Sequence, residues 1–346
     1  MRERGVSLPL RAAIGSLSGL PFPVLLLIVL ALFFGFLNGV HDSSNIVATL
    51  VTSRALTGGQ ALAMTAAAEL VGPFLFGVAV ATTLGHEVVA ASEVKLSVTL
   101  AAVASAIVWN MITWRLSIPS SSSHALVGGL IGAAIADGGL SVVKLAGLGK
   151  VPLALAMSPV LGLAAGYGMM KLVLFLARNA SPRINELFRR GQIATALALA
   201  LSHGTNDAQK TMGIIALGLV SAGVQTTFHV PLWIVVISAG AMALGTAMGS
   251  WRLIRTLGSG FFKVRPVHGF TTQVASASVI LAAAVLGGPV STTQVVSSAI
   301  MGVGSAERLS KVRWTTGGQI ALTWLITIPS AAVLAALLAL ILRRLV

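Results

Sequence analysis

The chain has no cysteine and very few charged side chains. Of its 346 residues, 9% are charged, only nine are Asp or Glu, and 56% are hydrophobic. The absence of cysteine excludes a disulfide framework, a thiolate nucleophile and a Cys-ligated metal. A water-soluble domain normally carries about a quarter charged residues. This composition therefore excludes a soluble globular fold.

The apolar residues form long runs that recur along the whole chain. A helix needs roughly 20 predominantly apolar residues to cross a bilayer. Eight runs of about this length lie near 22–40, 60–84, 96–114, 151–177, 192–220, 230–250, 268–287 and 314–342, and two shorter runs lie near 119–136 and 289–304. We therefore predict an all-α, multi-pass membrane protein.

The net charge of +14 does not indicate a nucleic-acid partner, because the basic residues lie in connecting segments and not among stacking aromatics. Two basic loops, at 171–190 and 252–265, are separated by two predicted spans and so lie on the same side. The positive-inside rule predicts that this side is cytoplasmic. Arg2, Arg4 and Arg11 precede the first run, which has no cleavage site and is interpreted as a retained helix.

Two polar motifs each occur twice. The Asp motifs are residues 38–45 and 203–210, and Asp42 and Asp207 stand at the same place within them. The hydroxyl runs are residues 119–124 and 289–294, and each begins with a proline. The polar segment 178–191 separates an N-terminal repeat, 1–177, from a C-terminal repeat, 192–346. A duplicated polar core in apolar segments is typical of secondary transporters, and we predict that a helix is interrupted at each Asp motif.

The segment after each hydroxyl run is too short to cross a bilayer, so it is predicted to be half of a broken or re-entrant helix. Such backbone is tolerated at membrane depth only where protein or a water-filled cavity covers it. Pro followed by Ser or Thr builds a helix start with free N–H groups and a positive dipole end, which suits an oxyanion. The candidate anion ligands are Ser121, Ser122, Ser123, Ser291, Thr292 and Thr293.

The two motif aspartates cannot attract an anion themselves. They suit a cation that travels with the anion, or a role as proton carriers. Na⁺ prefers carboxylate and amide oxygens, and Glu69, in another apolar run, is a further candidate without an acidic counterpart near 234–239. Lys210 either neutralises Asp207 or stands near the anion. The candidate Na⁺ ligands are Asp42, Asn45, Asn206 and Asp207.

These motifs resemble the signatures of the PiT family of inorganic phosphate transporters. Residues 39–45 are similar to the first signature, G-A-N-D-x-A-N, residues 202–213 to the second, and residues 289–293 to the P-V-S-T-T hydroxyl loop. The likeness extends to residues 249–258. The resemblance implies phosphate symport with Na⁺ or H⁺, two inverted repeats that each contain a broken helix and a re-entrant or half-helix hairpin, a homodimer, and a plasma (inner) membrane location.

The resemblance also assigns the Asp motifs and the hydroxyl loops to the phosphate and cation sites, which adds Asn45 and Asn206 to the candidate phosphate ligands. His41 stands where the general motif has Asn, as in proton-coupled bacterial members, and this favours H⁺. Gln294 stands where many members have His, which removes one titratable group. His41 and Glu69 therefore join the candidate coupling residues, Na⁺ and H⁺ both remain open, and no further cofactor is expected.

Other functions are compatible with parts of this pattern. Another oxyanion such as sulfate, or a metal–phosphate complex, could be the cargo, and hydroxyls with helix dipoles also line channels. His124 follows four serines, which raises an intramembrane serine hydrolase as an alternative. No G-x-S-x-G elbow frames these serines. We therefore predict a transporter and not an enzyme.

Overall fold

The computed structural model describes residues 19–87, 94–142 and 145–343. The residues Arg2, Arg4 and Arg11, used above for the retained first helix, lie outside these ranges. The described residues contain helices and no strand, which confirms the all-α prediction. The helices are α1 Phe22–Thr52, α2 Gly58–Leu75, α3 Ala79–Thr82, α4 Leu96–Arg115, α5 Ser122–Gly138, α6 Leu145–Leu176, α7 Ile184–Ser221, α8 Leu232–Met248, α9 Trp251–Ser259, α10 Pro266–Val285, α11 Thr292–Glu307 and α12 Trp314–Leu342.

Within the described ranges, five helices are long and apolar enough to cross a membrane: α1, α4, α6 from Val151, α10 and α12. Two bent pairs, α2 with α3 and α8 with α9, also qualify when each pair is counted as one broken span or re-entrant loop. Both pairs bend by 73°. Gly77 and Gly249, at the two breaks, have positive φ values, a conformation that glycine adopts without steric cost. Each half therefore contains a broken helix, as predicted.

The prediction that the helices are interrupted at the Asp motifs is wrong. Asp42 lies inside the continuous helix α1, and Asp207 lies inside the continuous helix α7. The hydroxyls of Ser43 and Ser44 donate to backbone carbonyls one turn earlier in the same helix, at 2.8 and 2.9 Å. Hydroxyl groups satisfied in this way do not require the helix to open. The breaks occur instead in the helices that pack against the Asp motifs.

Each break contacts the Asp motif of the other half. The side chain of Gln209 donates to the carbonyl of Gly77 at 2.7 Å, and its oxygen accepts from the N–H groups of Val80 and Ala81 at the start of α3. At the second break the N–H of Ser250 donates to Ser43 Oγ at 3.3 Å. The polar groups freed by each break are thus partly satisfied by the neighbouring Asp motif.

Two hairpins carry the hydroxyl runs at their tips. Helices α4 and α5 form the first hairpin around residues 116–121, and α10 and α11 form the second around residues 286–291. Helices α5 and α11 have 17 and 16 residues, shorter than the roughly 20 needed to cross a bilayer. These lengths fit the predicted half-helices, whose N-termini are expected to lie at membrane depth.

The bases of the two hairpins are closed by equivalent ion pairs. In the first hairpin Lys95 Nζ lies 3.0 Å from Asp137 Oδ1. In the second, Arg265 pairs with Glu307, which is also paired with Lys311. Arg265 and Glu307 stand at the same places relative to the second hydroxyl run as Lys95 and Asp137 do relative to the first. The duplication read from the hydroxyl runs therefore extends to both ends of each hairpin.

The two halves of the chain are interleaved. Helix α6, from the first half, packs against α11 through Gly162 and Gly166, where side chains would meet the α11 backbone. Helix α12, from the second half, packs in the same way against Gly128 and Gly132 of α5. Helices α2 and α8 likewise cross α7 and α1. The predicted linker 178–191 becomes helical at Ile184, and its role as a boundary between repeats stays a prediction.

Candidate functional site

The two Asp motifs and the two hydroxyl runs converge in the centre of the helical core. The candidate residues are all buried, and none is more than 5% exposed. They are His41, Asp42, Asn45, Glu69, Ser121, Ser122, Ser123, Asn206, Asp207, Ser291, Thr292 and Thr293. Because buried polar groups are costly without partners, their contacts define what this centre can hold.

Helices α5 and α11 begin in the same way. Ser121 Oγ accepts a hydrogen bond from the N–H of His124 at 3.2 Å, and Ser291 Oγ accepts one from the N–H of Gln294 at 3.4 Å. This capping leaves the N–H groups of the first two residues of each helix without an intrahelical acceptor. Each hairpin tip is therefore a positive helix end with free donors beside hydroxyl groups.

The two tips meet. Ser123 Oγ donates to the carbonyl of Val290 at 3.4 Å, and His124 Nε2 lies 3.4 Å from Gln294 Nε2. His124 and Gln294 are equivalent residues, because each is the last of its hydroxyl run. A cavity of about 450 Å³, between α6 and α12, reaches this pair. The structure thus brings the two helix starts together in one buried place.

Both aspartates contact the second hydroxyl run. Thr293 Oγ1 donates to Asp42 Oδ1 at 2.7 Å and accepts from Asn45 Nδ2 at 3.3 Å. Thr292 Oγ1 donates to Asp207 Oδ2 at 3.0 Å. Ser122 and Ser123 of the first run make no hydrogen bond to either aspartate. The equivalent runs therefore have different contacts, and of the two only the second donates hydrogen bonds to the aspartates.

Asp207 forms a buried ion pair. Lys210 Nζ donates to Asp207 Oδ1 at 2.5 Å, and neither side chain is exposed. The other oxygen of Asp207 accepts from Asn38 Nδ2 at 3.1 Å as well as from Thr292. Lys210 therefore takes the first of the two roles considered for it, that of the charge partner of Asp207.

His203 is central, although no role was predicted for it. Its Nδ1 lies 2.8 Å from Glu69 Oε1, and its Nε2 lies 3.6 Å from Asp207 Oδ2 and 3.9 Å from Asp42 Oδ2. One imidazole therefore faces three carboxylates. His203 is the first residue of the second Asp motif, and Asn38 is the first residue of the first. Their equivalent positions in the duplicated motif could have identified both as candidate site residues.

Glu69 reaches the centre from α2. Its Oε2 accepts from Thr246 Oγ1 at 2.5 Å, and Thr246 was not predicted. An added methyl group at Gly204 would overlap the backbone carbonyl of Glu69, and one at the equivalent Gly39 would overlap that of Met242. Met242 is thus the counterpart of Glu69, a few residues beyond the segment 234–239 considered above. The second half has no acid there.

His41 and Asn206, which occupy equivalent positions, lie at the edge of the cluster. His41 Nδ1 is 3.8 Å from Asp42 Oδ1, and its Nε2 has no hydrogen-bond partner. Asn206 Nδ2 donates to the carbonyl of Gly288 at 3.3 Å. Asn206 therefore anchors the connection that leads into the second hydroxyl run.

Several buried oxygens have no partner, and these fit a hard cation. Carbonyl and carboxylate oxygens are the ligands that such cations prefer. Asp42, His203 and Asp207 each offer an atom within 4.8 Å of the others. Within the two Asp motifs, the buried oxygens without a hydrogen-bond partner are Asn38 Oδ1, Asp42 Oδ2, Asn45 Oδ1 and Asn206 Oδ1.

The serine and histidine at the first tip do not form a nucleophile. Ser121 Oγ lies 2.7 Å from His124 Nδ1 but is already the helix cap. The other ring nitrogen faces the amide nitrogen of Gln294, and no carboxylate contacts His124 in the described part of the chain. A serine triad needs a third group that orients the histidine and stabilises its charge. The hydrolase alternative lacks that group.

Paired half-helices around a buried cluster of carboxylates and hydroxyls, in an all-helical membrane protein, are typical of membrane transporters. The chain belongs to the phosphate transporter family, whose sequence model matches residues 38–181 and 176–335. This confirms the resemblance read from the motifs. Because the family consists of transporters, it also confirms that the chain is not an enzyme.

Individual relatives agree with the family. A protein of Rhizobium meliloti named "probable low-affinity inorganic phosphate transporter" is 44% identical over 92% of this chain and 96% of its own length. A Bacillus subtilis protein of the same name is 40% identical, over 90% and 95%. The solved structure titled "The sodium-dependent phosphate transporter" matches with a TM-score of 0.87, at 24% identity, over 94% of this chain and all of that chain. This structural similarity supports the overall fold described above.

Proposed function

We propose that this protein is a cation-coupled symporter that imports inorganic phosphate by alternating access. The observation that carries the proposal is the shared buried site. Thr292 and Thr293, at one positive helix start, contact Asp207 and Asp42, while the second helix start meets the first within the same cluster. The proposed anion site and the proposed cation site are therefore adjacent and are lined by some of the same residues.

Phosphate suits this site better than sulfate. The hydroxyls and free N–H groups of the two tips donate to phosphate oxygens. A protonated phosphate also carries an O–H donor, and Asp42 Oδ2, which has no hydrogen-bond partner, is an acceptor beside those hydroxyls. Sulfate has no such donor at neutral pH and would face the carboxylates as one anion facing another. Without an arginine at either tip the binding is expected to be weak, in keeping with the low affinity in the relatives' names.

The charges of the centre favour a travelling cation. Asp42, Glu69 and Asp207 supply three buried carboxyl groups, whereas the nearby basic groups are the ammonium of Lys210 and the imidazole of His203. Burying an uncompensated charge costs several kcal/mol per ion. Na⁺ at the free oxygens of Asp42 and Asn45, or a proton on His203, would reduce this penalty. Phosphate binding is thereby linked to cation binding.

The two hairpins are the elements proposed to open alternately. Their tips hold the site, and their bases carry separate ion pairs. We expect the protein to work in the plasma (inner) membrane as a homodimer with the basic loops in the cytoplasm. The charge pattern supports the orientation, and the resemblance read from the motifs supports the membrane and the dimer.

The test is uptake of labelled phosphate into proteoliposomes under an imposed Na⁺ gradient or an imposed pH gradient. Accumulation against a phosphate gradient is expected with at least one of the two, and excess unlabelled sulfate is expected to leave it unchanged. Downhill flux alone would indicate a channel. Inhibition by sulfate as strong as by phosphate would indicate a general oxyanion carrier, and a requirement for Mg²⁺ would indicate a metal–phosphate cargo.

The aspartates are tested in the same assay. Asp42→Asn and Asp207→Asn are each expected to abolish cation-driven uptake, because each removes a buried carboxylate that balances a positive charge in the centre. Ser297→Ala, which removes an unpartnered buried hydroxyl from the same helix as Thr293, is the matched control and should transport normally. Wild-type uptake by both aspartate variants would contradict the coupling role.

A further inference from the structure

The duplication makes Lys210 the counterpart of Asn45. Asp42 and Asp207 stand at the same place in the two Asp motifs, and Asn45 and Lys210 are the last residues of those motifs. Each motif therefore has an aspartate at the same position, but the residue one helical turn later differs between the two motifs. In the first half this position carries an amide whose oxygen has no partner, and in the second it carries an ammonium group 2.5 Å from the aspartate.

The two aspartates differ accordingly in what they can still bind. Asp207 has both oxygens engaged, Oδ1 by Lys210 and Oδ2 by Asn38 and Thr292. Asp42 has Oδ1 engaged by Thr293, whereas its Oδ2 has no hydrogen-bond partner. Asp42 Oδ2 is also 3.9 Å from His203 Nε2. Only the first aspartate therefore offers a free oxygen.

An ammonium on a side chain is a cation that cannot leave. Lys210 is fully buried, and its Nζ donates to a carboxylate oxygen, the type of ligand that would bind a mobile cation. Because the side chain is covalently attached, its charge neutralises Asp207 whether or not Na⁺ is present. The equivalent position beside Asp42 has no such charge and must be filled from solution.

We propose that Lys210 permanently occupies one of the two equivalent cation positions, so that the position at Asp42 and Asn45 is the only one of the pair that exchanges its cation. This inference rests on the proposed symport. It gives the carrier a lower cation stoichiometry than two open positions would. It also separates the two aspartates by role: Asp42 binds the mobile cation, and Asp207 balances a fixed one.

Lys210→Asn recreates at Asp207 the residue type present beside Asp42. The variant is expected to need one additional mobile cation for each phosphate. At an imposed potential of about 100 mV, one more charge per cycle raises the limiting accumulation of phosphate roughly 40- to 50-fold. The measurement compares the steady-state accumulation and the cation dependence of uptake in variant and wild-type vesicles. An unchanged stoichiometry, or a folded variant without uptake at any cation concentration, would overturn the proposal.

A charge-balanced pair of variants gives a second test if Lys210→Asn does not fold. Asp207→Asn alone leaves Lys210 unpaired and is expected to be inactive. The double variant Asp207→Asn/Lys210→Asn removes both charges and is expected to recover uptake with the wild-type cation stoichiometry. The mirror double variant Asp42→Asn/Asn45→Ala is the matched control and is expected to stay inactive, because it removes the exchangeable position.

The outcomes separate this inference from the proposed function. If wild-type vesicles accumulate no phosphate under either gradient, the symport proposal fails. If wild-type vesicles accumulate phosphate but the Asp207→Asn/Lys210→Asn variant stays as inactive as Asp207→Asn, the symport stands and the assignment of Lys210 fails. Recovery by both double variants would also overturn it, because the two aspartates would then be equivalent.

Discussion

At the scale of single residues, Thr293 connects the anion side of the site to the cation side. Its hydroxyl donates to Asp42 at 2.7 Å and accepts from Asn45 at 3.3 Å. It stands one residue after the start of α11, beside the free N–H groups of that helix. A change at this hydroxyl is therefore expected to disturb both phosphate and cation binding.

We predict that Thr293→Val lowers phosphate uptake roughly 10- to 100-fold, because a hydrogen bond to a charged group contributes about 1.5–3 kcal/mol. Valine keeps the shape of threonine and removes only the hydroxyl. The measurement is the initial rate of uptake at several phosphate and cation concentrations, with a rise expected in the half-saturating concentration of both. Thr293→Ser keeps the hydroxyl and should retain most of the activity. Equal losses in both variants would point to packing and not to the hydroxyl.

At the scale of helices, close backbone crossings hold the Asp motifs in place. Gly39 of α1 lies against the backbone of α8, and Gly204 of α7 lies against the backbone of α2, so neither position has room for a methyl group. Small residues at such crossings let helices in a membrane approach closely. These two crossings bring Glu69 and Thr246 to the centre.

We predict that Gly39→Ala destabilises the protein by about 1–3 kcal/mol, the usual cost of forcing a methyl group into packed structure. Thermal unfolding of purified protein in detergent measures this loss. Gly240→Ala, in the middle of α8 with open space around the position, is the control. It should be neutral or stabilising by up to about 1 kcal/mol, because alanine favours helix more than glycine does. Equal melting temperatures for the two variants would contradict the proposed crossing.

At the scale of the whole molecule, each half depends on helices from the other. The first hairpin packs against α12, and the second packs against α6. Buried apolar residues from both halves also make up each of the two core clusters. The predicted halves 1–177 and 192–346 are thus not separate bodies in space.

We predict that fragments 1–177 and 192–346, expressed separately, are degraded or aggregate, whereas co-expression gives a complex that takes up phosphate. Each fragment alone would expose the glycine-lined face of its hairpin, which the partner fragment covers. Co-purification through a tag on one fragment, followed by uptake in proteoliposomes, measures the outcome. Stable folding of either fragment by itself would show that the interleaving is not required for stability.

Much of the architecture could be predicted because it depends on local patterns. Each of the ten apolar runs contains a helix, although the run near 60–84 is divided into α2 and α3, and the short runs after Pro119 and Pro289 became half-helices. Length and hydropathy predict the helices but not the break. Duplication of the motifs indicated which residues would lie near the site. The interruption at Asp42 and Asp207 was predicted wrongly, because polar residues inside a helix do not by themselves show whether other parts of the chain satisfy them.

The sequence by itself determined the class of protein, the duplicated motifs and the polar residues within those motifs, because each of these follows from composition, hydropathy and spacing along the chain. Only the tertiary structure decided which polar groups meet. His203 faces Glu69, Thr293 reaches Asp42 and Thr246 reaches Glu69, although the partners in each pair are far apart in the sequence. Such contacts depend on how helices from the two halves cross, and no local pattern in the chain encodes those crossings directly.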